Sequence, residues 1–208
     1  MDDVALTAVA ALAGYLIGTF PTADLVTRVA TRGRVDIREV GSGNPGGLNT
    51  MQSVGTAWGV VVILVDVLKG ALAALAGWAI GDTAGAYAGA TTGIAGHIFP
   101  VWTRFRGGKG IATSAGSVLA VFPIFFPVDA AAAAIGALGL RNAERAIWVT
   151  CPLWIASALV WWIADLPNLW GPEPTVGLPI FAIVSAVMIL GKFAAARPRR
   201  VGASPAPA

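Results

Sequence analysis

GHIFPVWTRFRGGKGIATSAG, residues 96–116, carries a histidine, two arginines, a lysine and a run of glycines where one apolar segment meets water and another begins. Gly107, Gly108 and Gly110 bracket Lys109, and an apolar run bearing Thr113 and Ser114 follows at once. Glycine lets a backbone N–H turn toward a ligand, and a helix starting here adds unpaired N–H groups and the positive end of its dipole. With Arg104, Arg106 and Lys109 alongside, the local chemistry favours phosphate or another anion. The stretch is not a Walker A loop, because Gly110 stands where Ser or Thr follows the lysine and Thr103 replaces the first glycine.

Outward from this turn the chain is apolar in both directions. Of its 208 residues, 56% are hydrophobic and 12% charged, against about a quarter charged in soluble domains. Such a composition predicts an all-α integral membrane protein. It argues against nucleic-acid binding, since no soluble domain exists to present a basic face. Cys151 is alone in an apolar run, which excludes a disulfide framework and a thiol–metal site. Met1-Asp2-Asp3 is acidic where a signal peptide is basic, and the apolar run continues past Ala11-Leu12-Ala13, as expected of a retained first span.

Apolar segments cover 4–26, 54–80, 84–102, 111–128, 130–140, 147–164 and 175–191. A spanning helix needs about 20 residues, so 130–140 is short, and the expected seven spans fall to six or five if short segments fail to cross. Charge tests the count. With the N-terminus outside, the cytoplasmic stretches hold Arg28, Arg32, Arg34 and Arg38, then Arg104, Arg106 and Lys109, then Arg141 and Arg145, then Lys192, Arg197, Arg199 and Arg200. Only Lys69, among 14 basic residues, is left inside a span. The opposite ends carry Asp2, Asp3, Asp82, Asp129, Asp165 and Glu173. Seven spans with the C-terminus cytoplasmic therefore satisfy the positive-inside rule. We expect one transmembrane domain over 1–193 and a basic, Pro/Ala-rich disordered tail over 194–208, near anionic headgroups.

This topology puts a second polar loop, GRVDIREVGSGNPGGLNT (33–50), on the same side as Lys109. Ser42, Asn44 and Asn49 supply neutral hydrogen-bonding groups, and Gly41, Gly43, Gly46 and Gly47 let the backbone close around a small ligand. An ordinary loop of turn formers has the same composition; two such loops on one face favour a shared site. Asp66 and Lys69, three residues apart, share a helical face within a span. They form either an ion pair that fixes helix packing or a part of a substrate site. His97, the only histidine, lacks cysteine or carboxylate company in sequence and is a poor metal candidate. Tryptophans 102, 148, 154, 161, 162 and 170 fit interfacial belts. No internal repeat stands out.

GSGNPGGLNT (41–50), DVLKG (66–70) and GHIFPVWTRFRGGKGIAT (96–113), with GYLIGTFPTADLVTRVA (14–30), resemble the bacterial acyl-phosphate-dependent glycerol-3-phosphate acyltransferases over roughly residues 14–123. The resemblance implies a seven-span inner-membrane enzyme of phospholipid biosynthesis. Such an enzyme moves an acyl chain from acyl-phosphate to the first hydroxyl of glycerol 3-phosphate, yielding lysophosphatidic acid and phosphate. It implies no metal or other cofactor, and neither coenzyme A nor acyl carrier protein as direct donor. Ser42, Lys109 and His97 become the candidate catalytic groups. Gly43, Asn44, Asn49, Asp66, Lys69, Arg104, Gly107, Gly108, Gly110 and Thr113 become candidates for binding substrate or its phosphates. The last third departs from the family pattern. Phe193 and Ala196 stand where a histidine and an asparagine are expected, and RNAERAI (141–147) lacks an expected serine. A diverged relative with another acceptor, or one that binds lipid phosphate without catalysis, is the second reading. A small transporter, suggested by Asp66 and Lys69 within a span, is the third.

Overall fold

The computed structural model describes residues 1–137 and 143–195. Every regular element among them is helical. Helix α1 (Asp3–Gly18) opens on Asp2, whose carboxylate accepts the Ala5 N–H at 2.8 Å. It stops at Thr19-Phe20-Pro21 and resumes as α2 (Thr22–Ala30). Proline has no N–H to continue the ladder, so the break leaves carbonyls without helical donors. After α3 (Gly47–Ser53) comes α4 (Thr56–Ile98), 43 residues folded sharply at Gly81-Asp82, where Asp82 takes a φ of 49°. The two halves, 56–80 and 83–98, run antiparallel: a Cβ on Gly77 would overlap the Gly85 carbonyl, and one on Gly89 the Ala73 carbonyl.

Glycine-to-backbone approach also joins α1 to the second half of α4. Gly14 lies on Gly89, Gly18 on Gly93, and Gly96 on Tyr15 and Thr19, so these two helices run parallel. Helices in lipid gain no hydrophobic drive from one another and associate where small residues let backbones meet. Glycines at 81, 85, 89 and 93 form a four-residue period that marks this face. The spacing was present in the sequence, unread as a repeat.

Helices α5 (Ile111–Val121), α6 (Phe126–Ala137), α7 (Ala143–Ile163) and α8 (Gly177–Ala194) complete the bundle. One apolar segment expected over 111–128 is divided, because Phe122 leaves helical geometry (φ −147°, ψ 61°) before Pro123, and residues 126–128 begin α6. Trp154, expected at an interface, is 1% exposed. Lying midway along α7, it faces the core, edge-on to Phe181 with ring centroids 5.2 Å apart. Trp102, Trp148, Trp162 and Trp170 are exposed. Among the described residues, four stretches are long and apolar enough to cross a membrane: Asp3–Ala30, Thr56–Thr103, Ala146–Ile163 and Gly177–Ala194. Arg141 and the 196–208 portion of the tail, with Ala196 and Arg197, lie outside the described residues, as does the end of segment 130–140.

Candidate active site

Because α1 and the second half of α4 are parallel, their ends carry both glycine-rich loops to one place. The Tyr15 hydroxyl donates to the Phe99 carbonyl at 2.8 Å and Trp102 Nε1 to Thr19 Oγ1 at 2.9 Å, which ties the second loop to the break in the first span. A cleft opens there, lined by the 18–22 break, Asp24, Arg38, Pro45, Asp66, Lys69, His97, Pro100, Thr103, Gly107 and Gly108.

The ionisable floor of the cleft is compact. Lys69 Nζ lies 2.8 Å from Asp66 Oδ1 and donates to the Phe20 carbonyl at 3.0 Å, with Thr22 Oγ1 at 3.5 Å. His97 Nδ1 is 3.7 Å from the same Asp66 oxygen. Asp66, Lys69 and His97 are only 2%, 5% and 8% exposed, so the Asp66 and Lys69 charges depend on their partners rather than on water. The Asp66–Lys69 pair braces the broken helix and also lines the cleft.

The second loop folds back on the helix it leaves. Arg104 and Phe105 both adopt left-handed backbone, φ 53° and 61°, a conformation disfavoured for residues with a Cβ. The Gly107 N–H then donates to the Ile98 carbonyl at 3.1 Å and the Gly108 N–H to that of His97 at 3.2 Å. These amides cap α4, so the two glycines enter the cleft through their lack of a side chain and not as donors to an anion. A Cβ on Gly108 would overlap His97 Nε2, which explains a glycine at that point. Gly110, with φ 85°, precedes α5. The first-turn N–H groups of α5 lack intrahelical acceptors and are the backbone donors this end of the loop offers.

Lys109 extends to the other side of the loop. Its Nζ lies 4.0 Å from the centroid of the Phe193 ring, at the end of α8. Arg104 is exposed outside the cleft, and Thr113 is wholly buried where α5 crosses the first half of α4 at Gly70.

In the first loop, Asn49 organises its surroundings. Its Oδ1 accepts the Ser42 N–H at 2.9 Å and the Ser53 hydroxyl at 3.4 Å, while Nδ2 donates to the Ile37 and Val40 carbonyls at 3.0 and 3.2 Å. The amide is thereby saturated within the loop. Ser42 is exposed, its Oγ accepting from the Asn44 N–H at 3.4 Å; Gly43 and Asn44 are half-buried beside it. Arg38 was counted in the sequence only as a topological charge. It pairs with Asp24, donates from Nη2 to the Arg106 carbonyl at 3.1 Å and lines the cleft. Burial, and then the charge of Arg106, hold its pKa below the usual arginine value. No spacing signals Arg38, because only the meeting of the two loops gives it a role.

The profile of the family described as Glycerol-3-phosphate acyltransferase matches residues 8–200. Glycerol-3-phosphate acyltransferase of Maricaulis maris is 35% identical over 199 residues, covering 85% of this chain and 90% of that protein. Glycerol-3-phosphate acyltransferase 2 of Moorella thermoacetica is 44% identical over 115 residues, an alignment spanning 55% of this chain and 58% of the relative's length. Among solved structures, an integral membrane glycerol 3-phosphate acyltransferase, PlsY, is similar in two forms. Its glycerol 3-phosphate form superposes with a TM-score of 0.69 at 27% identity, covering 90% of this chain and 88% of that one. Its lysophosphatidic acid form gives 0.68 at 26%, covering 89% and 87%. The long-range match and the shared helical architecture together mean that this chain belongs to the glycerol-3-phosphate acyltransferase family.

Proposed function

We propose that the protein transfers an acyl chain from acyl-phosphate to the 1-hydroxyl of glycerol 3-phosphate, producing lysophosphatidic acid and inorganic phosphate in a bacterial inner membrane. The observation that carries this reading is the two-sided second loop. Gly107 and Gly108 face a cleft holding Arg38, Lys69 and His97, while Lys109 lies toward α8. Two phosphate-bearing substrates need two anion sites, and an acyl chain needs an apolar surface beside one of them. The names of the relatives, and the two ligand forms of the similar solved structure, support the same substrates. We read the helices as seven crossings, counting Asp3–Ala30 and each half of α4 once, with the N-terminus outside and the loops and the 194–208 tail cytoplasmic. Residues 1–193 then form one domain.

In this mechanism the glycerol hydroxyl oxygen attacks the acyl carbon. The bond from that carbon to the phosphate oxygen breaks, and inorganic phosphate leaves. The hydroxyl proton passes to a substrate phosphate oxygen, with His97 the alternative acceptor. The acyl donor is already activated, so the protein contributes orientation and stabilisation of developing charge. Lys109 and the start of α5 hold the donor phosphate. The cleft cations, with Ser42 and Asn44 at the first loop, hold the acceptor.

The test is phosphate release from palmitoyl-phosphate by purified protein, with and without glycerol 3-phosphate. Release should require the acceptor, and Lys109→Ala should lower it at least about 100-fold, as loss of a charge-stabilising donor does elsewhere. Near-normal turnover in that variant would overturn the assignment of Lys109. Acceptor-independent behaviour of folded wild-type protein would favour the diverged reading, which the contact of Lys109 with Phe193, where a histidine is expected, keeps in play.

A further inference from the structure

We propose that Phe193 is a positioning residue for Lys109, and that it sets how tightly the α8 side of the second loop holds a phosphate. This rests on the function proposed above and adds a residue to it. The end of α8 grips the loop at two points. Lys109 Nζ lies over the Phe193 ring, 4.0 Å from its centroid, and Lys192 Nζ lies 5.8 Å from the centroid of Phe99, the first residue after α4. Adjacent residues of one helical turn thus engage both ends of the loop, one supplying the ring and the other the cation.

The choice of an aromatic partner matters chemically. A lysine carries a flexible four-carbon stem, and its ammonium binds an anion well only when its position is limited beforehand. A ring face attracts the cation through its quadrupole and accepts none of its three N–H groups in a conventional hydrogen bond. Phe193 is itself fixed: it is 7% exposed and packs in the main core with Ile189 and Ala186 of its own helix and Ile94 and Ile98 of α4. The ammonium is therefore referenced to the rigid bundle rather than to the loop alone.

The test compares wild type with Phe193→Leu, which keeps an apolar side chain without a π face, and Phe193→Trp, which restores one. Phe193→Leu should raise KM for palmitoyl-phosphate about 5-fold, the strength of a partly desolvated cation–ring contact, with KM for glycerol 3-phosphate and kcat within about 2-fold. Phe193→Trp should recover most of the loss. Equal KM in wild type and Phe193→Leu, or equal impairment of the Leu and Trp variants, would overturn the proposal.

A second measurement needs no variant at Phe193. The lysines of the chain are Lys69, Lys109 and Lys192, so reductive 13C-methylation gives few resonances, assigned through Lys109→Arg. In wild type the Lys109 methyl signal should be shifted upfield by the ring current, and titration with inorganic phosphate should move it. An unshifted Lys109 signal refutes the contact even if Phe193→Leu does not fold. Wild-type protein that lacks acceptor-dependent phosphate release but shows the shift and binds phosphate would refute the proposed reaction and leave the positioning role standing.

Discussion

Replacing Lys69 by methionine removes the cation on which the Asp66 carboxylate and the Phe20 carbonyl converge. The Asp66 carboxylate, 2% exposed, would lose an ammonium at 2.8 Å, and the Phe20 carbonyl would lose a donor at 3.0 Å while keeping the Thr22 N–H at 2.9 Å. Removing one partner of a buried ion pair costs about 3–5 kcal/mol, and loss of one hydrogen bond to the carbonyl adds about 1 kcal/mol. The sum, about 4–6 kcal/mol, is comparable with the whole stability of many domains. Asp66→Asn alone should be damaging for the converse reason. The double variant Asp66→Asn, Lys69→Met carries no buried charge and should lose only about 1–2 kcal/mol, mainly for the Phe20 carbonyl. A double-mutant cycle by equilibrium unfolding in mixed dodecylmaltoside–SDS micelles, followed by tryptophan fluorescence, should return a coupling of at least about 3 kcal/mol. A Lys69→Met cost below about 1 kcal/mol, or strictly additive single variants, would mean the pair is hydrated and does not brace the break.

Gly108→Ala places a methyl on His97 Nε2 and within 2.8 Å of the Pro45 carbonyl; turnover should fall about 10- to 100-fold with a nearly unchanged melting temperature, because displacement of site groups by a fraction of an ångström suffices. A normal rate would show that the two loops need not meet there. Gly18→Leu drives a side chain into the Gly93 carbonyl and should cost about 3 kcal/mol or more by overpacking, read as loss of the folded peak in detergent gel filtration; a well-folded variant would refute the close helix contact. Asn49→Ala leaves the Ile37 and Val40 carbonyls and the Ser42 N–H without that partner. It should destabilise the first loop by about 2–4 kcal/mol, and hydrogen exchange at Ser42 should accelerate by more than about 10-fold. Unchanged protection would assign the ordering of this loop to other contacts.

The class of the protein was readable because it depends on quantities that need no contacts. Low charge and long apolar runs follow from the absence of water around most of the chain. Lys109, His97 and Ser42 stood out because polar groups among glycines are conspicuous in an apolar sequence. Their geometry was less readable. The amides of Gly107 and Gly108 were expected to face a ligand and instead cap α4, since a helix end buried beneath a loop must satisfy its own carbonyls first. Asn49, expected to touch substrate, is saturated by its own loop. Trp154 reads as an interfacial tryptophan in sequence because the helix face it occupies is decided by Phe125, just before α6, and by Phe181 of α8, not by its neighbours along the chain.

Composition, the placement of basic residues and the glycine-flanked motifs established an all-helical membrane protein of the acyltransferase family, since each is a local or additive property of the chain. The arrangement of the site is neither. Phe20, Asp66, His97 and Gly108 belong to four separate stretches, and they meet only because glycine faces let α1 and the two halves of α4 approach backbone to backbone. The same packing turns Arg38 from a topological charge into a cleft residue and sets the Lys109 ammonium against Phe193. Those outcomes depend on which surfaces exclude one another in three dimensions, information that spacing along one chain does not contain.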